Sequence, residues 1–172
     1  ETVLPDAKVP VFADQGQLTQ VVMNLAVNAS DAMPNGGTLR IGLRIGGPPD
    51  SAGLPGETLT ASRYAVLSVA DTGVGIPPDI IERIFDPFFT TKPIAHGTGL
   101  GLSTVFGIAG QLGGTVRVDS KVGAGTTFDV YIPLSARERD SGSIPVVAAV
   151  SDAPSGLTLL LAEDEPGLRR VV

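Results

Sequence analysis

Two carboxamides stand one helical turn apart at Asn24 and Asn28, in the stretch NLAVNASDA. A neutral amide oxygen is a hard ligand of the kind Mg²⁺ accepts beside phosphate oxygens and water. Four-residue spacing puts both side chains on one side of a helix. Alone, the pair also reads as two solvent-facing polar residues, at a cost in helix propensity. An acid, Asp71, follows an apolar run and precedes a glycine turn in DTGVGIP. At the end of a buried strand it can accept a hydrogen bond from an exocyclic amine such as the adenine N6, although Asp-Thr-Gly is equally good turn chemistry. Gly73 and Gly75 let backbone pass flat beneath a base. Downstream, GTGLGL covers Gly97, Thr98, Gly99, Leu100, Gly101 and Leu102. Glycine-rich backbone running into a helix offers free N–H groups and the positive end of the helix dipole to phosphate, or simply a tight turn under a closely packed helix. It is not a Walker loop, and no strand precedes it as in the dinucleotide fingerprint.

Three more residues bear on the same chemistry. Lys92, in FFTTK, is either a point charge for phosphate or a solvated loop lysine. Thr126, in GAGTTF, can meet a base through its hydroxyl or serve ordinary strand propensity. His96 is the single histidine; it sits in a glycine-rich loop with nothing nearby to activate it, which argues against a phosphate-acceptor role. An amide pair for a metal, an acid for a base edge and glycines for phosphates together describe a nucleotide site.

The elements that must position these residues follow from periodicity. Val9–Ala13 reads as a short strand. Asp14 is placed to cap a helix, with Gln17 three residues on. Leu18, Val21, Val22, Leu25, Ala29, Ala32 and Met33 then share one helical face, while Gln17, Gln20, Asn24, Asn28 and Asp31 share another. Pro34-Asn35-Gly36-Gly37 ends the helix. Thr38–Ile45 alternates as a half-buried strand, and Tyr64–Ala70 is a second, with Ala65, Leu67 and Val69 on one side. Pro77-Pro78-Asp79 opens a short helix over Ile80–Phe85. Asp86–Gly99 has little periodicity and is expected to be a mobile segment. Leu100–Leu112 is a helix closed by Gly113-Gly114. Val116–Val118 and Thr126–Ile132 are strands joined by a hairpin-like link and stopped by Pro133. The expected fold class is α+β: a two-layer sandwich whose mixed, mostly antiparallel sheet is covered on one face by about three helices.

The bulk numbers suit one domain with chain to spare. Of 172 residues, 42% are hydrophobic and 17% charged, and the mean hydropathy is +0.26, so a core can be filled. The net charge is −6, and no basic run occurs, which argues against nucleic acid or an anionic membrane as partner. With no cysteine, disulfides and thiolate chemistry are excluded. No signal-peptide pattern is visible, and no apolar run approaches the ~20 residues of a membrane span, so the chain reads as cytoplasmic and without membrane contact of its own.

Taken together, the boxes resemble those of the catalytic, ATP-binding domain of sensor histidine kinases, in the GHKL (Bergerat-fold) superfamily. NLAVNASDA matches the N box, DTGVGIP the G1 box, IFDPFFTTK the F box, GTGLGL the G2 box and GTTF the last strand, in order between Val9 and Leu134. The resemblance implies ATP and Mg²⁺ as cofactors. Asn28 would bind the metal, with Asn24 supporting it or the phosphates. Asp71 would take the adenine amine, Gly73, Gly75 and Ile76 would shape its pocket, and Thr126 would help hold it. Phe85 and Phe88 would anchor the lid, Thr91 and Lys92 would stand in it, and Gly97 to Leu102 would cover the phosphates. Asn24, Asn28 and Lys92 would carry the catalysis.

Two positions depart from the commonest pattern: Asp31, where many members are basic, and Thr90, where many have arginine. Lys92 is the candidate to compensate for them. ATP-hydrolysing relatives of the gyrase type carry a glutamate at the place of Asn24, which cannot take a proton, so phosphotransfer is favoured over hydrolysis. A nucleotide-binding regulatory module is the other alternative. The partners implied are a histidine-bearing dimerisation domain of the same kinase and a receiver domain or response regulator. The tail, TLLLAEDEPGLRRVV, resembles the first strand and helix of a receiver domain, with Glu163 and Asp164 as its acidic pair. The expected organisation is a catalytic domain over 1–134, a linker over 135–156 and the start of a receiver over 157–172, together a piece of a hybrid kinase.

Overall fold

A computed structural model describes residues 1–5, 8–49, 59, 61–92 and 97–135. The expected linker beyond Ser135, the receiver-like tail and His96 lie outside the described residues. Five strands form one mixed sheet: β1 (Thr2–Val3), β2 (Leu39–Gly46), β3 (Tyr64–Asp71), β4 (Thr115–Lys121) and β5 (Gly125–Pro133), in the spatial order β1-β2-β3-β5-β4. Only β1 runs parallel to its neighbour; the other pairings are antiparallel. Two helices, α1 (Gln15–Ala32) and α2 (Gly101–Gln111), pack on one face.

Helix α1 starts where the cap chemistry places it, with Asp14 Oδ1 accepting from the Gln17 amide at 3.0 Å. Its buried residues are Val21, Leu25 and Ala29, one per turn. Helix α2 buries Val105, Ile108 and Ala109. These meet Val69 of β3, Val116 of β4 and Phe128, Val130 and Ile132 of β5 in the main core. The sheet's register sets the site: Asp71, the last residue of β3, pairs with Thr126, the second of β5.

Four features differ from the sequence reading. Ile80–Phe85 is a run of turns, with amides bonding three residues back: Ile80 to Pro77, Arg83 to Ile80 and Asp86 to Arg83. Eight residues between Pro78 and Pro87 are too few to repay α-helix nucleation, so two helices rather than three cover the sheet among the described residues. Ile84 and Phe85 nonetheless reach the core. The expected strand at Val9–Ala13 is a single bridge from Val11 to Leu134; Pro10 and Pro133 lack the N–H groups that a longer ladder needs. Strand β1, only two residues long, has no period to read. Finally, β3 is covered on both faces at its start: Tyr64 and Val66 are 0% exposed and cluster with Tyr131, Leu59 and Ala61 away from the helices. No helix among the described residues is long and apolar enough to cross a membrane.

Candidate functional site

A cavity of about 740 Å³ opens between α1, the turn after β3, the lid segment before α2 and the β4–β5 hairpin. Its walls include Asn24, Asn28 and Asp31 of α1, Asp71, Gly75 and Ile76, Thr91 and Lys92, Gly97, Thr98, Gly99, Gly101 and Leu102, and Thr126. Three expected site residues are not in its wall. Gly73 lies against the Ala32 carbonyl and donates its amide to Asp71 Oδ1 at 2.8 Å. Phe85 is in the core, its ring 5.4 Å from that of Phe106 and 6.5 Å from that of Phe128. Leu100 is the residue before α2, 41% exposed.

The acid end of the cavity is built from backbone. Asp71 Oδ1 accepts from the amides of Gly73 at 2.8 Å and Thr126 at 3.3 Å. Two bonds to one oxygen fix the carboxylate plane. Among the described residues Oδ2 has no hydrogen bond, so it remains an acceptor for a ligand. The turn carrying Gly75 is pinned from two sides: the Val74 amide donates to Ala32 O, and its carbonyl accepts from Gly123 N at 2.8 Å. Gly75 has φ +73°, and a Cβ there would stand 2.3 Å from the Lys121 carbonyl. Gly125 has φ +102°, with a Cβ position 2.0 Å from the Asp71 carbonyl. Both positions demand glycine for conformation and for space. Val74, Ile76, Ile80, Ile84 and Val122 add apolar walls, suited to a flat heterocycle.

The opposite end is polar. Asn24 Nδ2 donates to the Gly101 carbonyl at 3.3 Å, tying α1 to the start of α2. Lys92 Nζ donates to Asn28 Oδ1 at 3.2 Å and to Asp31 Oδ2 at 2.5 Å. The positive charge that position 31 lacks is thus brought there by the lid. Asn28 Oδ1 and Asp31 Oδ2 are hard oxygens converging on one cation, a donor set that fits Mg²⁺ if phosphate and water complete it. No cluster of three or more acid, histidine or cysteine side chains stands among the described residues to hold a metal alone. At the lid's base, the Phe88 amide bonds the Gly99 carbonyl at 3.0 Å, closing the segment into a loop.

Sequence reasoning missed two residues here. Phe88, expected as a lid anchor, is 74% exposed with φ +68°. Its neighbour Phe89 packs against the core, lines the cavity and lies under the Arg83 guanidinium at 4.7 Å. Adjacent identical residues cannot be told apart by type; the left-handed turn at Phe88 decides which points inward. Ser120 was also missed, because its importance comes from cross-strand pairing with Thr126.

An acid held by backbone amides, carboxamides on the facing helix and a glycine loop opening a second helix define a nucleotide-binding domain on a mixed sheet. Residues 13–136 match the family of histidine kinase-, DNA gyrase B- and HSP90-like ATPases, and the chain belongs to that family. It is the ATP-binding catalytic domain of a sensor histidine kinase. The chain is 47% identical over 166 residues to the sensor kinase CckA of Brucella abortus, a match covering 93% of this chain and 18% of that protein. Against the sensor histidine kinase ZraS of Salmonella typhimurium the identity is 39% over 130 residues, covering 76% and 24%. The chain therefore spans less than a quarter of the length of these curated relatives. The catalytic domain of the histidine kinase ThkA, in a nucleotide-free crystal form, superposes with a TM-score of 0.59 at 30% identity, covering 77% of this chain and 78% of that one.

Proposed function

We propose that this domain binds Mg-ATP and presents its γ-phosphate to a histidine on a dimerisation domain of the same kinase. The observation that carries the reading is the single cavity whose two ends differ in chemistry: one hydrogen-bonding acid among apolar walls, and a cluster of amides, lysine and helix start. Asp71 Oδ2 accepts the adenine amine, Ile76 and Gly75 bound the ring, and Thr126 lies beside it. Asn28, with Asp31, holds Mg²⁺, which neutralises phosphate charge when bound. Asn24 and the backbone amides of the loop from Gly97 to Leu102 receive the phosphates, except that of Leu100, which donates to Thr98 Oγ1 at 3.4 Å. Lys92 leaves Asn28 and Asp31 for the γ-phosphate when ATP enters. Transfer then rests on positioning and charge neutralisation, as is general for phosphoryl transfer. Hydrolysis is disfavoured because Asn24 offers no base to water.

The tail after residue 156 begins a receiver domain, so the parent protein is a hybrid kinase working in the cytoplasm, where ATP is. Support for this is the TLLLAEDEPG pattern, an apolar run followed by an acidic pair.

Calorimetric titration with ATP, with and without Mg²⁺, tests the nucleotide reading. Wild type binds, more tightly with the metal, and Asp71→Asn binds much more weakly. Absence of binding to wild type would overturn it.

A further inference from the structure

Three charged side chains stand among the described residues of the cavity wall: Asp71 at the base end, and Asp31 and Lys92 at the phosphate end. Two carboxylates and one ammonium leave the wall negative before any phosphate enters. The single ammonium is also committed. Lys92 Nζ donates to Asp31 Oδ2 at 2.5 Å and to Asn28 Oδ1 at 3.2 Å. Asp31 lies in the last turn of α1, a turn with no basic residue. An acid there meets the negative end of the helix dipole, which adds to the demand for a cation. Packing does not account for the acid either, because its side chain is 45% exposed and takes no part in the core.

We propose that Asp31 is a specificity-determining residue: it makes the site accept ATP that carries a divalent cation and reject metal-free ATP. This rests on reading the cavity as a nucleotide site. Lys92 has one charge and two claimants. With metal-free ATP, an ammonium that turns to the phosphates leaves the Asp31 carboxylate bare beside them. An ammonium that stays with Asp31 leaves the phosphates without a cation. Either way anions stand uncompensated at close range, where like charges repel. With the metal-charged nucleotide, Asp31 and Asn28 Oδ1 have a second cation to face, and Lys92 is released to the phosphates. The same acid that opposes free ATP therefore costs the metal-bound form little.

The test is calorimetry at fixed ionic strength, with ATP titrated in excess Mg²⁺ and in excess EDTA. The ratio of the two affinities is the readout. Wild type should prefer the metal-charged form by roughly tenfold or more, the scale of one partly screened charge pair. Asp31→Asn removes the opposing charge. Metal-free ATP should then bind several-fold more tightly than it does to wild type, while the metal-charged form holds or weakens, so the ratio shrinks. Asp31→Lys should shrink it further, and it serves if the asparagine variant does not fold. Asp31→Glu keeps the charge and should keep the ratio. Glu82→Gln removes an exposed acid that is not in the cavity wall and should leave the ratio as in wild type. A metal-free affinity that does not rise in Asp31→Asn, or an equal narrowing in Glu82→Gln, overturns the proposal and leaves Asp31 a tether for the lid. Failure of wild type to bind ATP in either condition would instead overturn the nucleotide reading beneath it.

Discussion

Asp71 is where one atom separates binding from its loss. Asparagine at this position keeps an oxygen for the Gly73 and Thr126 amides but turns Oδ2 into a donor. The fold should survive, with an unchanged circular dichroism spectrum, while ATP affinity falls by roughly ten- to a hundredfold, the worth of a hydrogen bond to a charged group. A comparable affinity in wild type and Asp71→Asn would show that the base lies elsewhere. Glycine at position 75 is a different kind of residue-level constraint. Alanine there adds a Cβ 2.3 Å from the Lys121 carbonyl at a positive φ, so backbone must move. Gly75→Ala should lower both the melting temperature and ATP affinity. A variant that melts with wild type would show that the turn relaxes freely.

Elements carry the charge logic of the phosphate end. Lys92 belongs to the lid, while its partners Asn28 and Asp31 belong to α1. The lysine is a third exposed, so the pair itself adds little to stability. Its weight should appear in ligand discrimination instead. Lys92→Ala should weaken a non-hydrolysable ATP analogue several-fold and leave ADP nearly unchanged, because only the former carries a γ-phosphate. Equal effects on both, read by calorimetry, would place Lys92 elsewhere than at the γ-phosphate. The helix holding the carboxamides depends on its start. Asp14→Ala removes the acceptor for the Gln17 amide and should cost about 1 kcal/mol in urea unfolding; no loss would mean that α1 is held by packing alone.

At the scale of the molecule, the cavity walls run from Met23 to Phe128, all within the compact unit Glu1–Glu138. A chain ending at residue 138 should therefore bind ATP as tightly as the full sequence. It should carry no phosphohistidine after incubation with ATP, and it should phosphorylate an added dimerisation domain. Weaker binding by the short chain would give residues 139–172 a part in the site. Much of this was legible beforehand. Helix α1, the four antiparallel strands β2 to β5 that come after it in the chain, and α2 were all expected from periodicity, caps and breakers. The turn run at Ile80–Phe85 was misread because prolines that open a helix also open turns. The coverage of Tyr64 and Val66 was unreadable because strand alternation says which residues share a face, not what packs on it.

Residue types and local spacing determined the inventory: two carboxamides a turn apart, an acid ahead of a glycine turn, a glycine loop ahead of a helix. These are short-range properties, since a helix or strand places i, i+4 or i+2 by its own geometry. Tertiary structure decided what those groups meet. The register of β3 against β5 brings Asp71 to the Thr126 amide, β4 adds Ser120, and the lid delivers Lys92 to Asp31. Such contacts join residues dozens of positions apart, and each depends on sheet order, turn handedness and the packing of α1 and α2 together, which no local stretch of chain encodes.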